Sequence, residues 1–97
     1  MNQSTRLKPL FHPGRLLVTP AAHAALHTHG IPVISVILQH VCGNWGEVPD
    51  DDKRQNDLSV ETGLRLLSCY RLSDASRIWV ITEWDRSATT ILSPDEY

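Results

Sequence analysis

His40 is the titratable residue whose setting most invites chemistry. It ends an apolar stretch running from Ile31 and stands just before Gly43-Asn44-Trp45-Gly46, a turn signal holding a large aromatic ring. On a helix it would occupy the C-terminal end, where the dipole favours imidazolium, and the ring would donate a proton near neutral pH. Metal-free phosphodiester cleavage needs a general base, a general acid, and cations or hydroxyls that stabilise a phosphorane-like charge. Arg65, Tyr70, Arg86, Thr89 and Thr90 supply those types, so His40 with these five is the candidate set for a ribonuclease. The plain alternative makes Trp45, Trp79 and Trp84 core and turn anchors, and Arg65, Glu83 and Arg86 cross-strand ion pairs.

Other chemistry finds less support. His23 and His27 are four apart, near enough on a helix to share a metal ion, and His29 follows, yet no third ligand stands at a recognisable spacing. Asp50, Asp52 and Glu61 imitate positions one, three and twelve of a calcium loop. Arg54 at the fifth position and Gln55 in place of the turn glycine break the pattern, which leaves helix capping. Cys42 and Cys69 are far apart and outside any CxxC pattern, so both read as reduced, apolar side chains. GxGxxG, Walker, GxSxG and HExxH sequences are absent, and no metal or cofactor is expected.

Charge divides the chain. Residues 1–46 carry three basic and no acidic side chains, and residues 47–97 carry six basic and eleven acidic ones, +3 against −5 within a net −2. Two of the nine basic residues are Lys, and they are not clustered, so general duplex-DNA binding is disfavoured. Carboxylates gathered in the second half can instead steer association with a basic protein surface. Glu47, Asp50, Asp51, Asp52, Asp95 and Glu96 are the contact candidates, with Trp45 or a strand edge as an apolar anchor.

The elements that must position these groups follow from local signals. At 97 residues with 41% hydrophobic and 21% charged side chains, the chain accommodates one core. Residues 1–10 read as a flexible arm and 11–97 as a single domain. Arg15–Thr19 is a short strand; Thr19-Pro20 caps and opens a helix over 20–29, with Gly30 as its left-handed stop. A second, largely buried helix spans Pro32 to about Cys42, with a strand as the competing assignment for its β-branched run. Asp50 or Asp51 caps a third helix reaching about Glu61. Beyond Gly63 the pattern alternates: strands over 64–72, 77–84 and 88–92 form a meander. The expected class is α+β, an N-terminal strand and two to three helices packed on a three- to four-stranded antiparallel sheet. No apolar run approaches a membrane span and no secretory signal is evident, which points to the cytoplasm.

Three segments carry a family resemblance: His40-Val41-Cys42-Gly43-Asn44-Trp45-Gly46-Glu47, Arg65-Leu66-Leu67-Ser68-Cys69-Tyr70, and Ile78 through Leu92, continued by Pro94-Asp95-Glu96-Tyr97. Over about residues 11–97 the chain resembles small proteins of plasmids and integrative elements, labelled plasmid-related proteins or, misleadingly, type I restriction subunits. The family turn reads Ser-Gly-Asp-Trp-Gly where this chain has Cys42-Gly43-Asn44-Trp45-Gly46, and Trp84 stands where a small residue is common. His23, His27 and His29 lie outside the family motif. The resemblance implies a mobile-element accessory protein. Together with the acidic second half it leads to the expectation of a non-enzymatic counter-defence inhibitor, of anti-CRISPR or anti-restriction type, bound to a host nucleic-acid-handling complex. The alternatives are a metal-independent ribonuclease similar to barnase, colicin or RelE types, and a structural or regulatory homodimer.

Overall fold

The computed structural model describes residues 8–73 and 75–97. Most of the expected arm, and Asp74, lie outside them; at the arm's inner end the Leu10 N–H donates to Val41 O at 2.7 Å. In chain order the elements are β1 (Arg15–Val18), α1 (Pro20–Thr28), α2 (Val33–Val41), α3 (Asp50–Thr62), β2 (Leu66–Ser73), β3 (Ser76–Thr82) and β4 (Ala88–Leu92), followed by a 3-10 turn at Pro94–Glu96. This is a small α+β fold.

Capping chemistry explains the helix bounds. Thr19 Oγ1 accepts from Ala22 N at the start of α1 and Pro20 occupies its first turn. Gly30 at φ +65° closes it, with its N–H on His27 O and Ile31 N–H on Leu26 O. The β-branched run 33–41 is helical rather than extended because its apolar side chains recur at helical spacing: Val36, Ile37, His40 and Val41 are buried. The expectation of a largely buried helix holds for one face only, since Ile34 and Leu38 are exposed. α3 differs in its cap. Pro49 holds that position and no side chain caps the helix, so Asp50, Asp51 and Asp52 form its first turn and act on the positive dipole end instead.

The four strands lie in the order β1-β4-β3-β2. β4, β3 and β2 pair antiparallel, as the meander requires, whereas β1 runs parallel to β4, making the sheet mixed rather than wholly antiparallel. The direction follows from the chain path: three helices separate β1 from the meander. One sheet face packs against α1 and α2 through Ala22, Leu26, Val36, Ile37, Val41, Tyr70, Ile78, Val80 and Ile91. Fully buried Leu26, Ile78 and Ile91 each contribute about 2–3 kcal/mol of apolar burial. A second cluster joins Trp45, Val48, Leu66 and Cys69.

Between α2 and α3 the chain crosses the outer edge of β2. Glu47 N–H donates to Cys69 O at 2.7 Å, and Cys69 N–H donates to Trp45 O at 3.1 Å. Gly46 makes this approach possible: its φ is +75°, and a Cβ there would lie 1.9 Å from Cys69 O. The crossing carries Trp45 inward, to 4% exposure.

Candidate functional site

His40 projects from the last turn of α2 to the inner face of the sheet and is 0% exposed. Ser68 on β2, Thr82 on β3 and Thr89 on β4 meet it there, all fully buried. His40 Nδ1 lies 2.6 Å from Ser68 Oγ and Nε2 lies 2.9 Å from Thr82 Oγ1. Thr82 Oγ1 is 2.7 Å from Thr89 Oγ1, which donates to Pro13 O at 2.7 Å.

The terminal acceptor orders the protons of the whole chain. A carbonyl only accepts, so the Thr89 hydroxyl spends its proton on Pro13; Thr82 then donates to Thr89 and must itself accept from His40 Nε2–H. Nδ1 of the neutral ring is left as an acceptor for the Ser68 hydroxyl. Every polar atom of the ring is thereby satisfied without charge. Phe11 and Trp45 close around it, with ring centroids 5.4 and 5.5 Å from the imidazole and nearly perpendicular planes.

Burial, and secondarily the Arg86 guanidinium, push the His40 pKa down to about 3. This corrects the expected imidazolium: loss of hydration outweighs the favourable helix terminus, a term of at most about 2 kcal/mol. At neutral pH the ring is uncharged and out of reach of solvent.

The other members of the ribonuclease set disperse. Arg65 is exposed, with its guanidinium 5.7 Å from the Tyr97 ring centre. The Tyr70 hydroxyl donates to Asn44 O, and burial pushes its pKa up to about 12. Thr90 points to the opposite sheet face from Thr89, as neighbouring strand residues must. Arg86 is a structural clamp. It donates to Leu64 O and Ser59 O at 2.6 Å each, holding the C-terminal end of α3 and the chain that leaves it. Its own backbone has φ +60°, unusual for a side chain of this size, and its guanidinium also lies over the Phe11 ring. None of Arg65, Glu83 and Arg86 forms the expected ion pairs; those among the described residues are Asp51–Arg54, Glu47–Arg71 and Glu47–Arg77.

The acidic candidates are engaged to different degrees. Glu47 sits at the β2 edge, bridging Arg71 Nε at 2.9 Å and Arg77 Nε at 3.0 Å, and these hydrogen bonds, Arg77's foremost, hold its carboxyl below the ordinary value. Glu96 lies beside β1, accepting from Thr19 Oγ1 at 2.7 Å and Ser93 N–H at 2.8 Å, while Asp95 accepts from Ser93 Oγ. The C-terminal turn itself packs on β3, where Tyr97 stacks on Trp79, and Asp95 lines the same groove as Arg77. Asp50, Asp51 and Asp52 remain exposed together on the first turn of α3. Trp45 is not an exposed anchor: it is buried, and its Nε1 donates to Asp57 Oδ1 at 2.9 Å. Trp84 is the exposed indole, at 65%, because β3 ends at Thr82.

Ser68 and Thr82 are not among the residues that the sequence singles out for chemistry. Their signal was parity: each is a small hydroxyl among inward-facing apolar positions, Leu66 and Tyr70 on one strand, Ile78 and Val80 on the other. His23, His27 and His29 are exposed on or just beyond α1, and no metal-binding cluster of His, Cys, Asp or Glu occurs among the described residues. No single helix among them is long and apolar enough to cross a membrane. A surface groove of about 450 Å³ is lined by Arg77, Trp79, Ser93 and Asp95 among others and does not involve His40. The chain matches no family model, no curated protein and no solved structure.

Proposed function

We propose a non-enzymatic role: a mobile-element accessory protein that binds a basic surface of a host nucleic-acid-handling complex, in the manner of an anti-CRISPR or anti-restriction inhibitor. The observation that carries the non-enzymatic half is His40, wholly buried, neutral, and satisfied at both ring nitrogens. A residue so engaged organises a fold; it does not meet a phosphodiester. The binding half rests on the Asp50–Asp52 turn, three exposed carboxylates on one helical turn. The family resemblance supports the accessory role.

Affinity capture from nuclease-treated host lysate tests this reading. Wild-type protein should retain a defined complex that dissociates at raised salt. An Asp50/Asp51/Asp52→Lys triple variant should lose it and the matching Asn variant should retain less, with circular dichroism showing both folded. Equal recovery by the Lys variant would overturn the acidic contact. Cleavage of RNA in chelator, abolished by His40→Gln, would overturn the non-enzymatic reading.

A further inference from the structure

The two edges of the sheet are finished differently. On β2, Asn56 covers Leu67, donating through Nδ2 to Leu67 O at 2.7 Å and accepting Leu67 N–H at 3.2 Å, and the 45–47 crossing covers Cys69. On β1, the bonds Arg15 N–H to Ser87 O and Thr19 N–H to Ile91 O, both 3.0 Å, turn the odd-numbered residues toward β4. The main-chain N–H and C=O of Leu16 and Val18 therefore point outward, and no described element pairs with them. Leu16, Leu17 and Val18 are 48%, 42% and 36% exposed. β1 is short and carries one charge, Arg15, but no proline, bulge or inward charge blocks pairing along it.

We propose that β1 pairs antiparallel with β1 of a second copy about a two-fold axis at Leu17, joining two sheets into one of eight strands. Chemistry selects both the occupant and the register. With Leu16 opposite Val18 of the partner, each such pair exchanges both main-chain bonds, and the two Leu17 side chains meet on the axis. Arg15 then lies opposite the partner's Thr19, whose hydroxyl is bound to Glu96, so a cation without an acidic partner among the described residues meets a carboxylate, twice by symmetry. Shifting one way asks Gly14 N–H to pair although it already donates to His12 Nδ1, and shifting the other way asks Pro20 for an N–H it lacks. The strand is thus complementary to itself in bonding, shape and charge.

Analytical ultracentrifugation of the full chain across a concentration series should show mass rising from 10.9 kDa toward twice that value. Leu17→Lys places two cations on the axis and should hold the protein monomeric with the circular dichroism of the folded chain, since the position is exposed, and its melting temperature should no longer depend on protein concentration. Arg15→Glu should weaken the dimer and Arg15→Glu/Glu96→Arg should restore it. Leu17→Cys should form an intermolecular disulfide under mild oxidation, because non-hydrogen-bonded antiparallel partners stand about 4.5 Å apart at Cα, while Leu16→Cys should not. A wild-type monomer throughout, or a dimer that Leu17→Lys leaves intact, overturns the proposal. The Asp50/Asp51/Asp52→Lys variant should dimerise normally, which separates this surface from the acidic one.

Discussion

Acidification should destabilise this protein through His40 before its carboxylates titrate. The folded ring has a pKa of about 3 against 6.5 when unfolded, so between those values the unfolded chain binds a proton that the folded chain refuses. Stability contributed by the neutral ring is fully present above pH 6.5, falls as pH drops through that value, and is exhausted below the folded pKa. With 1.36 kcal/mol per pKa unit, the loss is about 2 kcal/mol by pH 5 and about 3 kcal/mol by pH 4. Against the roughly 5–15 kcal/mol of a small domain this is a large fraction. Glu47 and Asp85, whose pKa values are lowered by hydrogen bonds from Arg77 and Ser87 respectively, respond only at lower pH, below their ordinary 4.5 and 3.8. Urea melts at pH 7, 6 and 5 isolate the histidine. With an m-value of about 1–1.5 kcal/mol per molar, the wild-type midpoint should fall by about 1.3–2 M between pH 7 and pH 5. His40→Gln, which keeps a donor and an acceptor but cannot take up a proton in this range, should start lower and then shift far less. A wild-type midpoint that stays level, or an equal slope in the Gln variant, refutes the assignment of a buried neutral ring.

Two further predictions concern side chains that hold backbone. Arg86→Ala should cost about 2–3 kcal/mol by denaturant melt, because Leu64 O and Ser59 O lose charge-assisted donors, and Lys should rescue only part, lacking the planar fork. The same change should raise the folded His40 pKa toward its unfolded value, so the stability lost between pH 7 and pH 4 should be smaller than in the wild type. Asn56→Ala should cost about 2–4 kcal/mol by freeing both main-chain groups of Leu67, and hydrogen exchange should show the Leu67 amide losing protection first.

Local chemistry was legible wherever a few neighbouring residues decide the outcome. Thr19-Pro20 opens α1 and Gly30 closes its turn as expected, α3 ends at Thr62 against an expected end near Glu61, and β4 spans Ala88–Leu92 as expected. The helix over 33–41 is legible in the sequence, but the exposure of Ile34 and Leu38 is not, because periodicity gives the angular spacing of apolar residues and not how much of the helix its neighbours cover. Likewise the place of His40 at a helix end is legible in the sequence, but the helix dipole alone assigns it the wrong charge. Local dipole arguments see the helix terminus; desolvation depends on Phe11, Trp45 and three strands arriving from elsewhere.

Composition and pattern by themselves determined the α+β class, the helix-then-meander order and the separation of charge along the chain, since these rest on propensity and spacing over short windows. Only the tertiary structure decided that β1 runs parallel to β4, that Glu47 is held by Arg71 and Arg77 and Glu96 by Thr19, and that a histidine, a serine and two threonines close into one proton-ordered chain. Each of those outcomes depends on which distant residues share a face and how much water they exclude, and a linear sequence of propensities contains neither quantity.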